Sequence, residues 1–293
     1  MKFHSRLTAP LLVTAAIAIT AVILPSGVIV PSIVMALSGV EVSEIAKKIT
    51  VLIDTQNPGS GVIVAKEKNN YYVLTAWHVM RYSDWQYTIK TSDGKSYPLD
   101  YSTVKRLPGV DLAIMEFSSN DTYMTAKLGN SDRALEGTPV YIAGFPNPGA
   151  GIEERIYRFT SGEISGRFLK PKEGGYALVY TNTTRTGFSG GPVLDSEGHL
   201  VGIHGQGETS QSASNESGEA SDSKTGFNMG IPIKTFLNLV SKTGMKLAVQ
   251  VENSPSSEAT SNNSPTLTAP QLPETVRPAN NAQQPICAGR RCL

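Results

Sequence analysis

Between residues 49 and 250 the chain is cut into short apolar runs by Gly, Pro, Asn and Asp, and this punctuation limits its fold more than any other feature. TVLIDT (50–55), GVIVAK (61–66) and YYVLT (71–75) are the first runs, with PGSG and EKNN as turn material between them. YTIKT, YPLDYSTVKRL and VDLAIMEF (110–117) follow. A second set contains TPVYIAGF (138–145), ERIYRFTSGEISGRFL, YALVYTN, GPVLD, LVGIHG and FNMGIPI. Parallel α/β folds need a helix between successive strands, and none stands here, so the pattern predicts an all-β fold of antiparallel barrels or a sandwich. Two helices are expected outside the strands: SEIAKKI near 43–49, and IKTFLNLVSKTG after Pro232, with Phe236, Leu237, Leu239 and Val240 on one face and Gly244 as its stop.

The ends differ from this body. Residues 1–36 place Lys2, His4 and Arg6 before TAPLLVTAAIAITAVILPSGVIVPSIVMA, which ends in the small-x-small site Val34-Met35-Ala36. The layout is that of a secretory signal, with a retained membrane anchor as the alternative; Pro25 and Pro31 speak against one continuous spanning helix. Either reading exports the domain, so an extracytoplasmic, periplasmic or secreted protein is expected, touching a membrane only if this segment is kept. Residues 251–293 are rich in Pro, Ser and Asn and read as a flexible tail, and 208–224, ETSQSASNESGEASDSK, reads as a disordered Ser-rich loop insert. The remaining body suffices for one sizeable domain or two small barrels sharing a cleft.

Charge and cysteine usage narrow the partners. The chain has 26 basic and 25 acidic residues, and losing Lys2 and Arg6 leaves 24 against 25, a balance that points away from nucleic acid. Cys287 and Cys292, both in the last seven residues as CAGRRC, would at most close a local loop, so the body must be held by packing. A zinc site from these cysteines with His199 and His204 lacks a diagnostic spacing; no metal and no cofactor are expected.

The groups able to do chemistry are few. His78, in VLTAWHVM, ends an apolar strand, where a histidine can equally be a packed or capping residue. Asp111 heads the strand of PGVDLAIMEF, and a carboxylate placed there demands a hydrogen-bonded partner. Ser189 lies in the glycine-rich turn TRTGFSGGPVLD (184–195). A serine is a weak nucleophile until a base takes its proton and a third group holds the base in its tautomer, and Ser189, His78 and Asp111 supply one of each. The amides of Gly187 and Ser189 have the spacing of a two-donor oxyanion hole. GFSGG also fits the G-x-S-x-G elbow of α/β-hydrolases, but that elbow leads into a helix and precedes its acid and histidine, whereas here GGPVLD is strand-like and both partners come first.

TAWHV, GVDLAIMEF and GFSGGPVLD, in that order, resemble the three catalytic segments of the chymotrypsin-like (trypsin-like) serine proteases, over roughly residues 46–244. The resemblance implies two six-stranded antiparallel β-barrels with His78 and Asp111 from the first and Ser189 from the second meeting in the cleft, and a short C-terminal helix. QNPGSGVIV resembles the secreted bacterial members, and the absence of cysteines from the body agrees with that branch. Phe188 stands where the animal enzymes carry an aspartate that pairs with a newly cut amino terminus, so activation by that ion pair is not expected.

For the substrate pocket the resemblance implies Thr183 and Thr184 at its base and side, and LVGIHG as its other wall. His204 in that segment is similar to the pocket histidine of the bacterial glutamyl endopeptidases, which implies a preference for Glu or Asp before the cut; Gly205 and Gln206 depart from that pattern, and a packed strand histidine is the competing reading. Two functions follow: a monomeric serine endopeptidase acting on polypeptides through an acyl-enzyme, or an exported protease-like binding or scaffold domain without turnover.

Overall fold

A computed structural model describes residues 36–211, 222–245 and 247–252. The expected leader or anchor (apart from Ala36), the middle of the Ser-rich insert, the tail beyond Glu252 and both cysteines lie outside these residues.

The first lobe begins with helix α1 (Gly39–Ile49) and continues through strands β1 (Thr50–Asp54), β2 (Gly59–Glu67), β3 (Asn70–Ala76), β4 (Thr88–Lys90), β5 (Ser96–Pro98), β6 (Lys105–Arg106) and β7 (Leu112–Ser118). The second holds β8 (Lys127–Leu128), β9 (Pro139–Gly144), β10 (Arg158–Arg167), β11 (Leu178–Tyr180), β12 (Pro192–Leu194), β13 (Leu200–Gln211), β14 (Asp222–Pro232), helix α2 (Ile233–Leu239) and β15 (Gln250–Val251).

The expectation of two six-stranded barrels is corrected. Strands β12, β9, β10, β11, β14 and β13 pair in a ring that β12–β13 closes, giving one six-stranded barrel with β8 and β15 added outside it in parallel pairing. The first lobe is a seven-stranded open half-barrel in the order β5-β4-β1-β2-β3-β7-β6. Its terminal strands explain the opening: β5 has three residues and ends in Pro98, and β6 is two exposed basic residues, so neither offers a ladder for closure. The short helix after the last barrel strand, α2, is present as expected, ended by Gly244 at φ +81° after a 3₁₀ turn. The flanks of the Ser-rich segment continue the β13–β14 ladder, with Thr209 opposite Lys224 and Gln211 opposite Asp222.

Strand alternation sorts side chains between cores. Tyr71 and Val73 of β3, with Ala113, Met115 and Phe117 of β7, fill the half-barrel. Their neighbours Tyr72, Leu74, Leu112 and Ile114 face the other way, into a core shared with Val42, Ala46 and Ile49 of α1, with Leu128, Leu200 and Ile203, and with Phe236 of α2. Both faces of β3 and β7 are therefore buried, which is why these strands read as continuous apolar runs. The shared core joins the lobes and holds the ends of β3, β7 and β13 at one cleft.

Candidate active site

The pairing of β3 with β7 places Ala76 opposite Leu112. Two residues beyond Ala76 stands His78, on the 3₁₀ turn Trp77–Met80, and one residue before Leu112 stands Asp111, so the register itself brings them together. The backbone N–H of Trp77 donates to the Asp111 carbonyl (3.1 Å) and that of His78 to Asp111 Oδ1 (2.9 Å), while His78 Nδ1 lies 2.7 Å from Oδ2. The Tyr176 hydroxyl donates to the same Oδ2. Burial pushes the Asp111 carboxyl up, but the bonds from His78 and Tyr176 outweigh it and hold the group below its ordinary value.

Ser189 lies on the turn into β12. The turn is clamped to the first lobe by Ser60: its Oγ donates to the Gly187 carbonyl (2.7 Å) and accepts from the Phe145 N–H (2.9 Å), and its N–H donates to the Ser189 carbonyl (2.8 Å). With both carbonyls drawn to Ser60, the N–H groups of Gly187 and Ser189 donate to no protein acceptor among the described residues, and both residues line the cleft. The Ser189 hydroxyl donates to the Gly205 carbonyl (2.9 Å) and not to His78. His78 and Asp111 are thus joined, and Ser189 faces the same cleft with its hydroxyl turned to a neighbour.

That cleft, of about 1210 Å³, is lined by His78, Asp111, Ser189, His204 and Gly205 among others. Arg81, Arg106 and Arg185 also line it, against Glu173 as the acid beside Asp111. His204 is buried, its Nδ1 2.7 Å from the Tyr180 hydroxyl and its ring perpendicular to Phe188. Thr183 is exposed and Thr184 is buried with its hydroxyl on Asn228 Oδ1; neither lines the cleft. His199 stands elsewhere, beside Asp195 and Glu197. Among the described residues no cluster of His, Cys, Asp and Glu could hold a metal ion.

Residues 59–203 match the family model of the trypsin-like peptidase domain. A probable periplasmic serine endoprotease, DegP-like, of Pseudomonas fulva (strain 12-X) is 33% identical over 156 residues, covering 52% of this chain and 30% of that protein. The serine protease Do-like HtrA of Lactococcus lactis subsp. lactis (strain IL1403) is 25% identical over 194 residues, 65% of this chain and 45% of that protein. Among solved structures, an HtrA-type protease AlgW with tripeptide superposes with a TM-score of 0.53 at 25% identity, covering 70% of this chain and 63% of that one. The chain carries a trypsin-like peptidase domain over residues 59–203 and is similar to bacterial serine proteases of the DegP-like and HtrA type. It spans less than half the length of these curated relatives. The periplasmic or secreted placement expected of the trypsin-like domain agrees with relatives named as periplasmic.

Three residues around the trypsin-like site escaped the reading of the sequence. Ser60 had one signal, a hydroxyl between Gly59 and Gly61 where close approach is allowed. Tyr176 had none, and Gly205 had only its departure from the expected pocket pattern, because each acts on a residue far away in the chain.

Proposed function

We propose that the chain is a serine endopeptidase that hydrolyses polypeptides through an acyl-enzyme, with Ser189 as nucleophile, His78 as general base and acid, Asp111 as the group that orients the imidazole, and the amides of Gly187 and Ser189 as the oxyanion hole. The observation that carries the reading is the 2.7 Å contact from His78 Nδ1 to a carboxylate that faces the same cleft as a glycine-bound serine with unengaged amides. The carboxylate keeps the proton of the neutral imidazole on Nδ1 and leaves Nε2 as the acceptor. Rotation of the Ser189 side chain from the Gly205 carbonyl toward Nε2 then readies the hydroxyl. As Oγ attacks the scissile carbonyl, His78 takes its proton, and the negative charge develops toward the two N–H groups. His78 gives the proton to the leaving amine, and water hydrolyses the ester by the same path in reverse. The peptidase body is assigned to residues 46–244, and it is expected to act as a monomer, since His78, Asp111, Gly187 and Ser189 all come from one chain.

A preference for Glu or Asp before the cut is part of the proposal. It is supported by His204 in the cleft wall and by the excess of arginine there, since a carboxylate accepts charge-assisted hydrogen bonds that a neutral side chain cannot. Thr183 and Thr184 are not among the residues that line the cleft, so His204 is the residue on which the preference is tested. Matched peptides differing only in the residue before the cut, assayed on parent and His204→Ala, test the point: the variant should lose on the order of 2 kcal/mol for Glu and little for Ala, and equal losses would remove His204 from recognition.

The exported binding domain without turnover predicts a different result with an organofluorophosphonate. The parent chain should be labelled at Ser189 and Ser189→Ala left untouched; a parent that resists labelling while folded would return the molecule to the binding reading.

A further inference from the structure

We infer that Tyr176 is a positioning residue for the proposed reaction, its hydroxyl fixing the Asp111 carboxylate that in turn orients His78, and that residue 205 is glycine because the Tyr176 ring occupies its side-chain space. The inference rests on the endopeptidase reading and adds a member to that site.

Asp111 receives three donors: the His78 N–H on Oδ1, and His78 Nδ1 and the Tyr176 hydroxyl on Oδ2. Two of them belong to the residue that the carboxylate must orient. The main-chain N–H of His78 fixes Oδ1, but at Oδ2, the oxygen that meets the imidazole, the ring itself would otherwise be the one donor among the described residues. Tyr176 supplies the fixed reference, because it comes from the other lobe, four residues after Lys172, whose N–H donates to the Tyr176 carbonyl (2.9 Å). The same segment also takes the Asp111 backbone, whose N–H donates to the Gly174 carbonyl (2.8 Å). Tyr176 is 4% exposed, and a buried phenol needs a partner for its O–H; the carboxylate is that partner. Burial and the carboxylate push the phenol's pKa far up, so it donates throughout the working pH range.

Gly205 is the extra residue of a bulge in β13, between His204 opposite Gly230 and Gln206 opposite Met229. A Cβ on it would lie 2.1 Å from Tyr176 Cε1 and 2.4 Å from the hydroxyl oxygen. Its carbonyl accepts from Ser189 Oγ. The ring therefore touches the residue that holds the nucleophile while its hydroxyl holds the acid, and a side chain at 205 would drive the two apart.

Diisopropyl fluorophosphate tests this on the full chain without knowledge of the substrate: the Ser189 Oγ–P bond forms, the P–F bond breaks, and the hydroxyl proton passes to His78. Tyr176→Phe keeps the ring and its packing on Gly205. We expect it to label slower by about tenfold or more, the rate equivalent of one charge-assisted hydrogen bond, with little change in melting temperature. The acid limb of its pH–rate profile should move to higher pH, because a carboxylate relieved of one donor pulls harder on the imidazolium; a merely structural tyrosine would leave that limb in place. Gly205→Ala keeps the hydroxyl but displaces it, and carries the test should Y176F unfold: it should show the same slowing and the same movement of the limb. Labelling of either folded variant within twofold of the parent at every pH would overturn the inference. An unlabelled parent would overturn the hydrolase reading beneath it, which is a separate result.

Discussion

At Gly187 the backbone takes φ +100°, and a Cβ there would meet the Phe145 carbonyl oxygen at 2.6 Å, Pro146 Cα at 2.7 Å and Asn147 N at 2.8 Å. All three are backbone atoms and cannot swing aside, so Gly187→Ala should cost about 2–3 kcal/mol in a urea titration or shift the turn, with phosphonate labelling lost in either case. Asp111 makes a second prediction at this scale. Its folded pKa lies below the ordinary carboxylate value, so its stabilisation is present above that value and is lost as pH falls through the folded one. Melting temperature followed from pH 7 downward should therefore fall in the parent below the ordinary carboxylate range, and Asp111→Asn should start lower at neutral pH and fall less. A parallel fall in both proteins would place the acid sensitivity elsewhere. The need for such residues was readable in the chain, since a lone serine among glycines and a carboxylate heading an apolar strand both ask for partners. The donor that Tyr176 offers to Asp111 was not, because a tyrosine before a strand is ordinary.

Among the elements, α1 starts four residues earlier than the SEIAKKI pattern predicts. Ser38 and Glu41 form a reciprocal cap, the Glu41 N–H donating to Ser38 Oγ and the Ser38 N–H to Glu41 Oε2, which lets the helix begin at Gly39. Ser38→Ala should cost about 1 kcal/mol of stability by thermal unfolding. The buried face of the helix matters more: Val42, Ala46 and Ile49 are fully buried in the core that joins the lobes. Ile49→Ala should cost about 2–4 kcal/mol, measured the same way, and an effect under 1 kcal/mol would mean that α1 is not part of the core. Most strand positions followed from the alternation and its Gly and Asn breaks, as at Asn70–Ala76, but YPLDYSTVKRL breaks into β5, a 3₁₀ turn at Tyr101–Thr103 and β6. Strand closure did not, since what keeps the first lobe open is the brevity of β5 and β6, and a two-residue ladder leaves no period to read.

For the whole molecule the decisive contacts run between lobes. Ser60 of the half-barrel holds the carbonyls of Gly187 and Ser189, and it is buried there with no exposure. Ser60→Ala removes the partners of the Gly187 carbonyl and the Phe145 N–H together, so it should destabilise the chain by about 1–3 kcal/mol. Its labelling rate by a phosphonate should fall by more than the residual folded fraction explains, because the released Gly187 peptide no longer has to present its N–H to the cleft. A variant that labels at the parental rate per folded molecule would show that the turn holds itself.

The order of His78, Asp111 and Ser189, the strand class and the glycine turn are properties of the chain alone, because they depend on local conformational preference and on which residue types can share a proton. Which side chains meet across the cleft was decided by tertiary structure. The shared core sets β3 and β7 against β13, and that packing brings Ser60 to the serine turn, Tyr176 to Asp111, and the Tyr176 ring into the space left at Gly205. Contacts between residues 29 to 129 positions apart carry no periodicity and no adjacency, so only the folded chain brings them into register.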